Sequence, residues 1–352
     1  MKKMLALLLA LVMVLSLAAC ASSQPAATDA AASTETAETT ETTETTEPAA
    51  GESAEAPAES GKTYTVGVCQ LVQHEALDAA TQGFVDALKE ELGDAVTVDV
   101  QNASGDSVNC GTIVNGFVSK GVDLIMANAT PALTAAVSAT ADIPILGTSI
   151  TAYGVALDID DFNGTVGGNI SGTSDLADLQ AQAQMILDWF PETKTVGLLF
   201  CSAEPNSRYQ IDEVRKALEA QGVTCEEFAF TDSNDVSSVT QKAADFSDVV
   251  YIPTDNTAAS NTEAIANVLI PAGVPAVCGE EGLCRGCGVA TLSISYYDLG
   301  VTTGKMAAKI LKGEADISTM PVEYTDATPK YNASVCEQLG ITPLDGYEAI
   351  DG

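Results

Sequence analysis

The chain has 352 residues, with 49 acidic side chains against 15 basic ones and a formal net charge of −34. Such a polyanion has no basic stripe with which to hold nucleic acid or an anionic bilayer by charge. A neutral, zwitterionic or cationic partner is easier to accept on this balance.

The first residues carry an address. Lys2 and Lys3 precede an apolar run from Met4 to Leu17, and Leu17-Ala18-Ala19-Cys20 follows. A run of about 14 residues is short for a bilayer span and suits a cleaved export signal. Residues 1–19 are read as a lipoprotein signal peptide and Cys20 as the lipid-bearing residue, which puts the chain on the outer face of the cytoplasmic membrane. An uncleaved anchor or a chance Cys is the alternative. Residues 21–60 contain no Lys or Arg, and Glu35, Glu38, Glu41, Glu44 and Glu47 recur at every third position. Such a stretch cannot bury enough apolar surface to offset the entropy of ordering. It predicts a disordered acidic Thr/Glu linker through residue 60, spanning roughly 35 Å as a coil.

From Gly61 to Gly352 the chain is long enough for two domains or one two-lobed unit. Strand-like runs alternate with helix-period segments: YTVGVCQLV before LDAATQGFVDALKEEL, VTVDVQNA before SVNCGTIVNGFVSK, VDLIMANA before PALTAAVSAT, then IPILGTSI. After the Gly-rich GTVGGNISGTS and a helical segment ending at Pro191, the alternation resumes with TVGLLFCS, TCEEFAFTD and DVVYIPTD, each followed by a helix-period stretch, the last a helix from about residue 259 to 273, and then with VPAVCGEE and VATLSISYY. Short links with this alternation predict parallel sheets covered by helices. Gly-rich stretches near 164–174 and 288–296 read as crossings between two lobes. The expected division is 61–170 with about 296–316 in the first lobe, and 171–295 with about 317–352 in the second.

In open parallel sheets ligands sit beyond the carboxyl ends of strands. Ser, Thr and Asn dominate the loops there. Each such residue can also cap a helix, and Thr130-Pro131 has the form of a cap with a first-turn proline. The triplet Thr254-Asp255-Asn256 exceeds what a helix starting near Ala258 needs. Nothing assembles into catalytic machinery. The only histidine, His74, has no G-x-S-x-G serine to serve, no P-loop or G-x-G-x-x-G dinucleotide loop is present, and Glu280 and Glu281 point apart on extended backbone. Of the nine cysteines only Cys284 and Cys287 have redox or metal-ligand spacing. Without a second CxxC or a nearby histidine they read as free thiols, with a local disulfide as alternative, and neither metal nor cofactor is expected.

GVCQLVQHEALDAATQGFVDAL, EPNS, YIPTDNTAASN, VCGEE and VATLSISYYDLGVTTGKMAAKIL, in this order, resemble the solute-binding proteins of ABC transporters in the family typified by tryptophan and tyrosine importer components. The resemblance covers residues 62–345. It implies an α/β fold of the type I periplasmic-binding class, two Rossmann-like lobes with parallel sheets joined by three hinge strands. It also implies a monomer that binds a small solute, delivers it to a membrane permease with an ATPase, and carries out no chemistry. Carried across by motif, the ligand-binding positions are Gln70, His74, Thr130, Ser149, Glu204, Asn206, Ser207, Thr254, Asp255, Asn256 and Glu280. For an amino-acid ligand, the helix starts at Thr130 and Asn206-Ser207 supply donors to a carboxylate, and Asp255 is expected to pair with the ammonium. A sensor of the same fold reporting to a chemoreceptor or kinase, a binder of sugar or another small solute, and an exported hydrolase using Asp255 or Glu280 are the alternatives.

Overall fold

The structure, a computed structural model, describes residues 61–350; the expected export signal, Cys20 and the expected acidic linker lie outside the described residues. In chain order the strands are β1 (Tyr64–Gln70), β2 (Val96–Asn102), β3 (Leu124–Asn128), β4 (Ile145–Ile150), β5 (Ile170–Ser174), β6 (Thr195–Cys201), β7 (Thr224–Phe230), β8 (Val249–Ile252), β9 (Ala276–Cys278), β10 (Ala290–Ser293), β11 (Glu323–Tyr324), β12 (Thr328–Tyr331) and β13 (Glu348–Ala349). The helices are α1 (Glu75–Leu92), α2 (Ser107–Lys120), α3 (Thr130–Ala139), α4 (Tyr153–Ala156), α5 (Leu179–Trp189), α6 (Pro205–Glu219), α7 (Val236–Phe246), α8 (Asn256–Ala259), α9 (Thr262–Ala272), α10 (Glu281–Cys287), α11 (Tyr296–Lys312) and α12 (Ala333–Leu339).

The strands form two sheets, ordered β11-β5-β4-β3-β1-β2 and β13-β12-β10-β9-β8-β6-β7. Every pairing is parallel except that of β10 with β12. The β1-to-β5 and β6-to-β10 series have the same order, so two equivalent halves each reverse direction beside their first strand. Central strands are buried on both faces, which is why LIMAN and ILGTSI read as unbroken buried runs. The outer strand β7 instead turns Glu226 and Glu227 to solvent, which discourages pairing with another chain. Apolar clusters fill both faces of each sheet. Trp189 lies in one of them, edge-on to Tyr347 at 5.1 Å between ring centroids, a packing residue as its place before Phe190-Pro191 suggests.

Helix α11 belongs to the first sheet although it follows β10 of the second. It packs along α1, and the two approach so closely that a Cβ on Gly300 would stand 2.0 Å from the Ala80 carbonyl oxygen, and one on Gly83 2.1 Å from that of Tyr297. Only glycine fits at both contacts. The chain therefore crosses between sheets three times: after Ser174, between Ser293 and Tyr296, and between Tyr324 and Thr328. These points differ from a division at 170 and 316, because β5 pairs with β4 and β11 pairs with β5, which keeps 170–174 and 323–324 in the first sheet. The single helix expected from about 259 to 273 is instead two, α8 and α9, and the first starts at Asn256. Among the described residues, no helix is long and apolar enough to cross a membrane.

Candidate functional site

The carboxyl ends of the two sheets face one another across a crevice, where opposed βα loops diverge from the reversal point of each sheet. The first sheet contributes His74 after β1, with Ser149 and Thr151 at the end of β4. Across from these stand Asn206 of α6, Thr254, Asp255 and Asn256 after β8, and Glu280 after β9. The crossings supply Asp175 and Tyr296. With Leu77 and Ala259 these residues enclose a cavity of about 10 Å³, roughly the room one water needs. A wider mouth of about 270 Å³ shares His74, Ala259 and Glu280 and adds Gln73, Glu75 and Arg285.

Two of the three cavity carboxylates are engaged with backbone. Asp255 is 1% exposed. Its Oδ1 accepts from Ala258 N at 2.8 Å, its Oδ2 from Cys201 N at 2.7 Å, and Ser207 adds a hydroxyl hydrogen bond. It thus caps α8 and ties the end of β6 to that of β8. Burial and the nearby Glu204 charge push its pKa up to about 8. Glu280 caps α10, accepting from Gly282 N at 2.6 Å and Leu283 N at 2.5 Å, and burial pushes it up to about 7.

Glu204 is spent in the same way. It precedes α6 but turns its carboxylate to the first turn of α8: Oε1 accepts from Thr257 N and Oγ1, and Oε2 from Asn256 N, Asn256 Nδ2 and Asn206 Nδ2. That arrangement fixes two amides. Asn256 gives its Nδ2 to Glu204, so its Oδ1 faces His74 and accepts from Nε2 at 3.2 Å across the crevice. Burial lowers the His74 pKa. Neutral with its proton on Nε2, the ring presents Nδ1 as a bare acceptor. Asn206 gives Nδ2 to Thr254 O at 3.0 Å and to Glu204, so its Oδ1 is the end turned away.

Four buried polar atoms in this one cavity have no hydrogen-bond partner: His74 Nδ1, Ser149 Oγ, Asp175 Oδ1 and Asn206 Oδ1. Buried polar groups are nearly always paired, so such a group of exceptions calls for an explanation. Ser149 also sits at φ 55°, a left-handed conformation uncommon for serine. Asp175 is 5% exposed, its other oxygen accepts from Tyr296 OH at 2.9 Å, and the Thr151 hydroxyl also stands beside the carboxylate. Burial raises its pKa.

Seven of the eleven positions expected from the sequence line this cavity: His74, Ser149, Asn206, Thr254, Asp255, Asn256 and Glu280. The other four lie outside its lining. Gln70 is consumed within the first half, donating to Val72 O and Asp78 and accepting from Thr81 Oγ1. Thr130 is buried at the start of α3, while Glu204 and Ser207 stand behind the lining and support it. Asp175 and Tyr296 were not among the expected residues. Both sit at crossings between the sheets, not in a loop between a strand and the next helix of the same sheet. Asp175 nonetheless leaves a trace, because the cap of α5 is Asp178, which accepts from Gln180 N and Ala181 N, so a second carboxylate three residues earlier has no local task. Cys284 and Cys287 are buried free thiols in α10.

The family model for ABC transporter substrate binding proteins matches residues 65–346. A tyrosine-binding protein of Clostridioides difficile is 32% identical over 276 residues, 77% of this chain and 79% of that protein. A Streptococcus pneumonia ABC domain in complex with L-Trp is 32% identical and superposes with a TM-score of 0.78, covering 82% of this chain and all of the other. A ligand-free, open substrate-binding protein with adhesive properties from Clostridium difficile, also 32% identical and covering 82% and 99%, superposes with only 0.63. At equal identity this structure is closer to the ligand-bound relative than to the open one, in keeping with the small cavity. Two matched parallel sheets, three crossings and a family match over most of the chain converge: the chain belongs to the ABC transporter substrate-binding proteins, with the type I periplasmic-binding fold.

Proposed function

We propose that this protein captures an amino acid between its lobes outside the cytoplasmic membrane and presents it to an ABC permease and its ATPase. The observation that carries the reading is the convergence of unpartnered buried polar atoms, from both sheets and a crossing, on one cavity. Such a cavity is completed by a ligand with polar groups on several sides. The relatives that bind tyrosine or hold L-Trp make an aromatic amino acid the first candidate. Binding without chemistry fits the lining, where Asp255 and Glu280 are held by backbone N–H groups. A cavity of about 10 Å³ admits no amino acid as it stands, so the lobes part for loading and close over the ligand. Lys2, Lys3, the apolar run and Leu17-Ala18-Ala19-Cys20 support attachment through a lipid on Cys20, with the acidic linker holding a monomeric receptor off the membrane.

A thermal-shift screen of the twenty amino acids, sugars and polyols tests this. A ligand that binds only the folded state at a hundred times its Kd adds about 2.7 kcal/mol of stability. Tryptophan or tyrosine should raise the melting temperature progressively with concentration and be recovered unchanged. A response confined to sugars, or recovery of a hydrolysed ligand, sinks the proposal.

A further inference from the structure

The unpartnered atoms of the cavity share one chemical demand. Asp175 Oδ1, Asn206 Oδ1 and His74 Nδ1 are all acceptors, the last two because the donor ends of their side chains are committed to Thr254 and Glu204 and to Asn256. Ser149 Oγ is the one unpartnered atom able to donate. Neither Lys nor Arg lines the cavity to neutralise Asp175, whose second oxygen is held by Tyr296. A buried carboxylate without a counter-charge is unfavourable, and a cationic ligand removes that cost.

We infer that this cavity is a primary-ammonium subsite in which the ligand's three N–H donors meet Asp175 Oδ1, Asn206 Oδ1 and His74 Nδ1. The inference rests on the solute-receptor reading and names the group that this receptor recognises. The volume, about that of one water, suits an ammonium head, and the rest of the ligand extends into the wider mouth beyond His74 and Glu280. A water in the same place offers two protons to three acceptors and no charge to the carboxylate. Asp255, the carboxylate singled out by the sequence, already has backbone donors on both oxygens, whereas Asp175 has an oxygen unspoken for. The three acceptors also come from three parts of the fold. His74 follows β1 of the first sheet, Asn206 opens α6 of the second, and Asp175 begins a crossing, its own N–H held by Ile150 O at 3.3 Å. An ammonium among them braces the two halves together at the hinge. Since the full set exists only when the halves meet, it favours the closed state over the open one.

The test is titration calorimetry of the full-length protein with L-tryptophan, tryptamine and indole-3-propionate, and with the matching tyrosine series. Tryptamine keeps the ammonium and lacks the carboxylate; indole-3-propionate is the reverse. The amino acid is expected to bind at least 100-fold more tightly than its deaminated analogue, with the amine between them. Asp175→Asn should weaken binding of the amino acid at least tenfold and leave that of the deaminated analogue within threefold. Binding of the deaminated analogue within threefold of the amino acid overturns the subsite, as does an unchanged affinity in Asp175→Asn. If that variant does not fold, the analogue series on the unaltered protein decides alone. Failure of every amino acid and amine to bind the unaltered protein overturns the receptor reading, and this inference with it; the other outcomes overturn the subsite only.

Discussion

Asp255 accepts a backbone hydrogen bond on each oxygen, one from the helix it caps and one from the neighbouring strand. A side chain that lines a cleft can thus be structural at the same time. Losing a cap and leaving the buried Cys201 N–H without its acceptor each carry a cost, so Asp255→Ala should destabilise the ligand-free protein by about 1–3 kcal/mol. Urea unfolding measures this, and an unchanged midpoint would show that the cap contributes nothing. The buried acids also make stability depend on pH. Folded-state values of about 8 for Asp255 and about 7 for Glu280 lie above those of ordinary carboxylates. The folded chain therefore keeps protons that the unfolded chain has released. Stability from these groups is fully present below the unfolded pKa and is lost as pH rises through the folded values. His74 has the opposite sign: its folded pKa is lowered, so its contribution grows as pH rises and levels off above 6.5, its ordinary value. From about pH 6.5 to about pH 8 the carboxylates act unopposed. The melting temperature of the ligand-free protein should fall over that window, and a flat or rising profile is evidence against the raised values.

At the scale of elements, two contacts do work that no single helix or strand shows. Glu204 opens α6 yet satisfies the first N–H groups of α8, so a short helix of four residues is held by its neighbour. Helices α1 and α11 meet at glycines on both sides, and α11 carries at its first residue the tyrosine that orients Asp175. A methyl group at Gly300 would collide with backbone, which cannot swing aside as a flexible side chain can. Gly300→Ala should cost at least about 1–3 kcal/mol, the range for forcing extra volume into a packed contact. Differential scanning calorimetry reads the effect; a variant as stable as the parent would mean that the helices can slide apart without penalty. The alternation of strand and helix was legible in the sequence because apolar periodicity is local, and SVNCGTIVNGFVSK is a helix over its full quoted length. The early start of α8 was only half legible, because Asp255 caps it locally while the carboxylate that takes its first two N–H groups lies 52 residues away from Asn256.

For the whole molecule, direct contacts join the two halves at the cleft. Arg285 of α10 meets Glu75 of α1 at 3.0 Å across the cleft mouth, beside the His74 to Asn256 hydrogen bond. The ion pair is substantially exposed, so screening limits it to about 0–1 kcal/mol. A contact present only in the closed state adds to ligand affinity by what it contributes to closing. Glu75→Gln should accordingly weaken amino-acid binding about two- to fivefold, with the difference shrinking at high salt. Calorimetry at two ionic strengths checks this, and tighter binding in the variant would show that the pair opposes closure.

Local sequence was enough for the two parallel α/β halves and for most of the cleft: the first rests on apolar periodicity within a few residues, the second on polar residues where strands end. The seven expected positions that line the cavity were carried across by family motifs, and those motifs stand where strands of the parallel sheets end. Tertiary structure decided which carboxylate is free. Asp175 and Asp255 are both acids after strands, and the difference between them is made by Cys201, Ala258 and Tyr296, residues as far as 121 positions distant in the chain. Pairing of buried polar groups is settled only when all their partners have been brought together in space, and a linear chain does not contain that information locally.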